Sequence, residues 1–232
     1  MPNNNSTIAA LVGLIGFTLL IFGIWPGIDL AVSGYFHGAS LPGASGFAIR
    51  QNAWVEGLRN GLWDGTLLMP LLALILLALA LWRKTSGWLW GYILALFLIG
   101  PGLIVNAGFK AYWGRARPSN VIDFGGTAHF SPAWQISDQC AKNCSFVSGE
   151  GAGATAFTIA LLLILLRYRH RLSHPLYRLG QSLAVLSLGF VAWQRVASGG
   201  HFLSDVLLSI LLISLIAAVL ARLMLNQATS SR

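Results

Sequence analysis

Charge is what this chain has least of. Of its 232 residues only 9% are charged and only seven are acidic, whereas a soluble globular domain carries roughly a quarter charged residues. That shortage argues against water as the only solvent. Cysteine is scarcer still. Cys140 and Cys144 are the two in the chain, and with no His pair beside them they make a poor zinc site. No internal repeat, low-complexity tract or soluble second domain is visible. The formal net charge of +8 does not point to nucleic acid, because Lys and Arg sit in short connectors between apolar runs rather than in one solvated patch. Cytoplasmic loops and a site for anionic lipid headgroups account for the same excess.

What the chain has in quantity is hydrophobic length: 56% of its residues are apolar. Six segments approach the ~20 residues that a membrane-spanning helix needs. They run over about 7–25, 62–82, 87–108, 147–166, 179–197 and 203–225. The first lacks a basic leader and exceeds the roughly 7–15 apolar residues of a signal-peptide core, so it reads as a retained helix. The expected fold is all-α: a polytopic membrane protein, a six-transmembrane-helix bundle forming one domain over 1–232.

Orientation follows from the connectors. Arg83, Lys84, Arg167, Arg169, Arg171, Arg178, Arg222 and Arg232 share one side with no acidic neighbour, and all seven acids fall on the other. The positive-inside rule then puts both termini in the cytoplasm and the loops 26–61 and 109–146 outside. The tails Asn3–Asn5 and Thr229–Arg232 read as frayed. In the first outer loop Trp54, Leu58 and Trp63 recur at helical spacing, which fits either an amphipathic segment in the headgroup region or an irregular loop. Cys140 and Cys144 lie in the second, where an oxidising compartment favours a disulfide.

Ionisable residues near membrane segments are costly and usually functional, and this topology gathers them at one face. Lys110 and Arg117 follow the third segment, Ser148, Gly149 and Glu150 open the fourth, Arg195 ends the fifth, and His201 and Asp205 begin the sixth. Arg offers a planar fork to phosphate oxygens and Lys a point charge. Ser148 and the free amides of a helix start add donors. His201 and Asp205, four residues apart, would share one helical face, so that the carboxylate holds one ring nitrogen and leaves the other as a nucleophile. Singly, each feature has a plainer reading: Arg115 and Arg117 as snorkelling anchors, His201 and Asp205 as an interhelical contact, the glycines as packing surface. Their convergence on one face favours a phosphate-ester site.

Three spacings carry a resemblance. Lys110, six residues, then Arg117-Pro118; Val147-Ser148-Gly149-Glu150; and Gln194-Arg195, five residues, His201, three residues, Asp205 together resemble the motifs of the type 2 phosphatidic acid phosphatase superfamily of integral membrane lipid phosphatases, over a motif core of 110–205. The resemblance implies that Lys110, Arg117, Ser148, Gly149 and Arg195 bind the phosphoryl oxygens. It implies that His201 attacks phosphorus, that Asp205 orients it, and that a phosphohistidine is hydrolysed. Neither metal nor other cofactor is implied, since the cations stabilise the developing charge.

Val147, Gln194 and Glu150 stand where the family has Pro, Ser and His. The last departure bears on chemistry, because that His is the family's general acid. Glu150 is the expected replacement donor, His129 a reserve, and pairing of Glu150 with an arginine the alternative. The stretch NCSFVSGE is more weakly similar to bacterial lipid A phosphatases. The expected activity is therefore hydrolysis of a lipid A-type or other anionic lipid phosphate at the periplasmic face of a bacterial inner membrane. A lipid-to-lipid phosphotransferase, or a silent anionic-lipid binder disabled by Glu150, are the alternatives.

Overall fold

A computed structural model describes residues 4–38 and 46–230, with side chains over 5–38 and 46–224. Asn3, Arg232 and part of the first outer loop lie outside the described residues. Where lipid offers the backbone no partners, a single chain segment satisfies its own N–H and C=O groups as helix. The apolar runs do so as α1 (Asn4–Ile24), α3 (Ala53–Trp82), α4 (Trp88–Tyr112), α5 (Gly149–Arg167), α6 (His174–Ala197) and α7 (Leu203–Ser230), with a shorter α2 (Gly27–Gly38) after the first. Five of these are long and apolar enough to cross a membrane: α1, α3, α4, α5 and α7. The segment expected at 179–197 lies within α6, whose 24 residues suffice in length but include Arg178, Gln181, Gln194 and Arg195. The protein is a multi-pass membrane helix bundle.

Two parts of the first outer loop are α-helical, and Ala48–Gln51 between them forms a 3-10 turn. Besides α2, helix α3 begins at Ala53 rather than near 62, because the Asn52 side chain accepts from the N–H groups of Trp54 and Val55 and so supplies the cap that a helix start needs. Trp54 and Leu58 therefore belong to the first turns of a spanning helix, Trp54 being 90% exposed.

Helix α5 is central, packing against α3, α4, α6 and α7. Its buried face is Gly151, Ala152, Gly153, Ala154, Ala156 and Ala160, small residues that let helices approach closely in lipid. A Cβ on Gly153 would lie 2.8 Å from Thr66 Cγ2 of α3. Helix α4 widens to a π-helix over Leu98–Phe109 around Pro101. The carbonyl of Pro101 accepts from the Asn106 side chain at 2.8 Å. Since α3 and α5 both start at the acidic end, Arg83, Lys84, Arg167, Arg169 and Arg171 lie at the far ends of their helices.

Candidate active site

The connection between α4 and α5 has little regular structure, and side chains hold it in place. The Trp113 indole donates to Ala133 O at 2.9 Å and stacks on Phe146 with ring centroids 4.4 Å apart. Cys140 and Cys144 are joined as a disulfide with Cα atoms 5.6 Å apart, as expected. Between them Asn143 accepts Lys110 Nζ on Oδ1 at 3.1 Å and the Arg117 guanidinium on its carbonyl at 3.0 and 3.1 Å. The bonded loop thus sets the position of both motif cations.

Those cations line a cavity of about 720 Å³ together with Arg195, Gly149, Glu150 and His201. Arg50, Arg59 and Lys142 also reach it, so six cations face two carboxylates, Glu56 and Glu150. Gly149 is required by close approach: a Cβ there would meet Lys110 Cε at 2.9 Å and Nζ at 3.0 Å. Ser148 is fully buried and is not part of the lining. Its hydroxyl oxygen caps α5 by accepting from Gly151 N at 3.1 Å, a bond that fills one lone pair and leaves the O–H as a donor. Among the described residues no three His, Cys, Asp or Glu side chains converge as a metal-ligand set.

His201 precedes α7 rather than lying on it. The chain turns from α6 through Gly199, at φ 66 with the Phe47 ring against it, and His201 N bonds back to Arg195 O at 3.0 Å. The expected His201–Asp205 bond is not made. His201 Nδ1 instead meets the Ser145 carbonyl at 2.7 Å. A carbonyl accepts only, so Nδ1 carries the hydrogen and Nε2 the free lone pair. The ring is 1% exposed. Burial holds its pKa well below the usual 6.5, Lys110, Arg117 and Arg195 push it the same way, and the Ser145 carbonyl opposes them. The imidazole is neutral near pH 7.

Asp205 acts one step further back. Its Oδ2 accepts from the Ser145 hydroxyl at 2.5 Å and from Phe202 N at 3.0 Å, so it orients the segment that orients His201. Its Oδ1 accepts from Arg115 Nη1 at 2.6 Å. Arg115 is no snorkelling anchor: it is 0% exposed. It donates to Asp29 Oδ2 at 2.8 Å, Ser204 Oγ at 2.9 Å and Ser131 O at 2.8 Å, and its guanidinium lies 4.3 Å from the Phe202 ring centroid. Asp29, on α2, also accepts from Ser204 N at 2.9 Å. Sequence reasoning missed this network. The available signal was an ionisable residue, Asp29, just past the end of an apolar run.

Glu150, the expected proton donor, is held by two guanidinium groups. Its Oε2 accepts from Arg59 Nε at 2.7 Å, and its Oε1 accepts from Arg195 Nη1 at 2.7 Å and from Arg59 Nη2. Both oxygens serve as acceptors for guanidinium N–H groups, which is the paired alternative. His129, the reserve, faces a separate recess beside Asp138 and Gln139.

Comparison with known proteins places the chain in a family. Residues 88–229 match the PAP2 superfamily. A lipid A 4'-phosphatase of Francisella tularensis subsp. novicida is 31% identical over 202 residues, 82% of this chain and 83% of the relative. Lipid A 4'-phosphatases of Rhizobium leguminosarum and Rhizobium etli are each 40% identical over 115 residues, half of this chain, and that stretch is 46% and 42% of their own lengths. The chain thus matches a little under half the length of the two Rhizobium relatives. The crystal structure of a transmembrane PAP2-type phosphatidylglycerolphosphate phosphatase from Bacillus subtilis superposes with a TM-score of 0.61 at 21% identity, covering 94% of this chain and 95% of that one, a likeness of fold. By the extent of the family match and of the Francisella alignment, the chain belongs to the PAP2 superfamily.

Proposed function

We propose that this protein is a membrane lipid phosphatase hydrolysing the phosphate monoester of a lipid A-type or other anionic lipid. The observation that carries the reading is His201: a buried neutral imidazole whose Nδ1 is spoken for by the Ser145 carbonyl, in a cavity lined by Lys110, Arg117 and Arg195. Nε2 attacks phosphorus, a P–N bond forms and the P–O bond to the lipid breaks. Lys110, Arg117, Arg195 and the Gly149 amide hold the phosphoryl oxygens as charge develops. The leaving oxygen takes its proton from water, and a second water cleaves the phosphohistidine to release inorganic phosphate and free His201. No metal enters this scheme, because the cations supply the stabilising charge.

The whole chain, 1–232, would act as one domain with six spans, α6 supplying the fifth in chain order. Both termini would lie in the cytoplasm and the cavity would face the periplasm of a bacterial inner membrane. The arginine-rich far ends of the helices, the disulfide beside the cavity and the bacterial relatives support that placement. A panel of lipid phosphates, with phosphate release measured and products identified by mass spectrometry, tests the reading. Release from a lipid A-type substrate is expected. Transfer of labelled phosphate to an acceptor lipid without release would make the protein a phosphotransferase, and neither outcome from any lipid would leave a binder.

A further inference from the structure

Two of the chain's departures from the family motifs meet in one hydrogen-bonded ring. Arg59, near the start of α3, donates through Nε and Nη2 to the two oxygens of Glu150 and through Nη1 to Glu56 Oε2 at 3.3 Å. Glu56 Oε1 accepts from the Gln194 amide, Gln194 Oε1 from Arg195 Nε at 2.6 Å, and Arg195 Nη1 returns to Glu150 Oε1 at 2.7 Å. The ring ties α3, α5 and α6 together at the cavity wall. It uses Nε and one N–H of Nη1 on Arg195 and leaves Nη2 for a phosphoryl oxygen. Arg195 is thereby held from two sides, by Gln194 and by Glu150.

We infer that Arg59 is a positioning residue for Arg195, acting through Glu150, and that Glu56 and Gln194 close the same device. The inference rests on the phosphate-site reading above. The physical reason lies in charge and geometry. Glu150 stands in a cavity built for anions, where an unpaired carboxylate competes with phosphate for Arg195 and repels it. The two-pronged Arg59 contact holds that carboxylate in place as a fixed acceptor, so that it aligns Arg195 rather than occupying the place of the substrate. Gln194, where the family has Ser, is long enough to span from Arg195 to Glu56.

The test uses purified full-length protein and two probes: inorganic phosphate binding by calorimetry, which needs no turnover, and steady-state hydrolysis. Arg59→Gln should weaken phosphate binding and raise KM by about 10–100-fold, by analogy with the loss of an outer partner that orients a metal ligand. Adding Glu150→Gln to Arg59→Gln removes the freed carboxylate and should recover part of that loss, a non-additivity between contacting residues. A helix tether with no part in the site would not be rescued. Arg59→Lys keeps the charge without the fork and should fall between wild type and Arg59→Gln. Wild-type phosphate affinity in Arg59→Gln, or a double variant weaker than either single one, overturns the inference; if Arg59→Gln does not fold, unchanged affinity in Arg59→Lys does so. Wild type that binds phosphate yet hydrolyses no lipid phosphate would defeat the enzymatic reading and leave this one standing.

Discussion

Arg115 donates to Asp205 at 2.6 Å with neither side chain open to solvent, and the same guanidinium reaches back to Asp29 at 2.8 Å. One buried cation thus connects the helix after α1 with the carboxylate behind His201. Removing one partner of such a set strands the others, at about 3–5 kcal/mol. Asp29→Ala should lower stability by that order and lower kcat as well, read by denaturation in detergent and by phosphate release. Wild-type stability and turnover in Asp29→Ala would show the network to be idle.

His201→Ala should abolish hydrolysis while leaving inorganic phosphate binding within a few fold of wild type, because the cations remain. The neutral ring also sets a pH dependence. Burial and three nearby cations keep its pKa well below 6.5, so the active, unprotonated form persists as pH falls through 6.5 and is lost only further down. The kcat/KM profile should show no His201 limb between about pH 6.5 and 8. The same depressed value means that the unfolded chain binds the proton first, so this contribution to stability is full above about pH 6.5 and declines below it. A kcat/KM limb centred at 6.5 or above and absent from the profile of phosphate binding would contradict the assignment.

Glu150→Gln should leave the alkaline limb of the kcat profile where it is, since both carboxylate oxygens accept from guanidinium groups and neither is placed to donate. A modest loss in kcat/KM is expected from weaker hold on Arg195. Disappearance of the alkaline limb in Glu150→Gln would restore the proton-donor role.

Exhaustive chelation should not reduce the rate. Lys110, Arg117 and Arg195 line the cavity and in the proposed scheme supply the charge a phosphoryl group needs, which leaves a divalent ion no role to fill. Loss of activity with EDTA and its return with Mg²⁺ or Zn²⁺ would refute this.

Cys140 and Cys144 bracket the Asn143 that receives both Lys110 and Arg117. Replacing both cysteines with Ser should therefore raise KM several-fold while changing kcat less. Intact-mass measurement of untreated protein should lack alkylatable thiols, and two free thiols would count against the bond.

The sequence by itself determined the apolar helices and the end of the bundle at which the ionisable residues gather. Partition of an apolar run into lipid is a property of that run alone, and the alternation of spans then carries Lys110, Arg117, Arg195 and His201 to one face whatever their partners are. It also limited where the phosphate could bind, since the motif spacings are local. Only the tertiary structure decided what each polar group does there. Arg115 meets Asp29 across 86 positions and Arg59 meets Glu150 across 91, pairings set by how helices turn against each other and by nothing in either neighbourhood. Whether Ser148 lines the cavity or lies behind it, and whether His201 rests on Asp205 or on the Ser145 carbonyl, turns on the distance between elements. The period of a helix does not encode that distance, whereas packing small residues of α5 against α3, α4, α6 and α7 does.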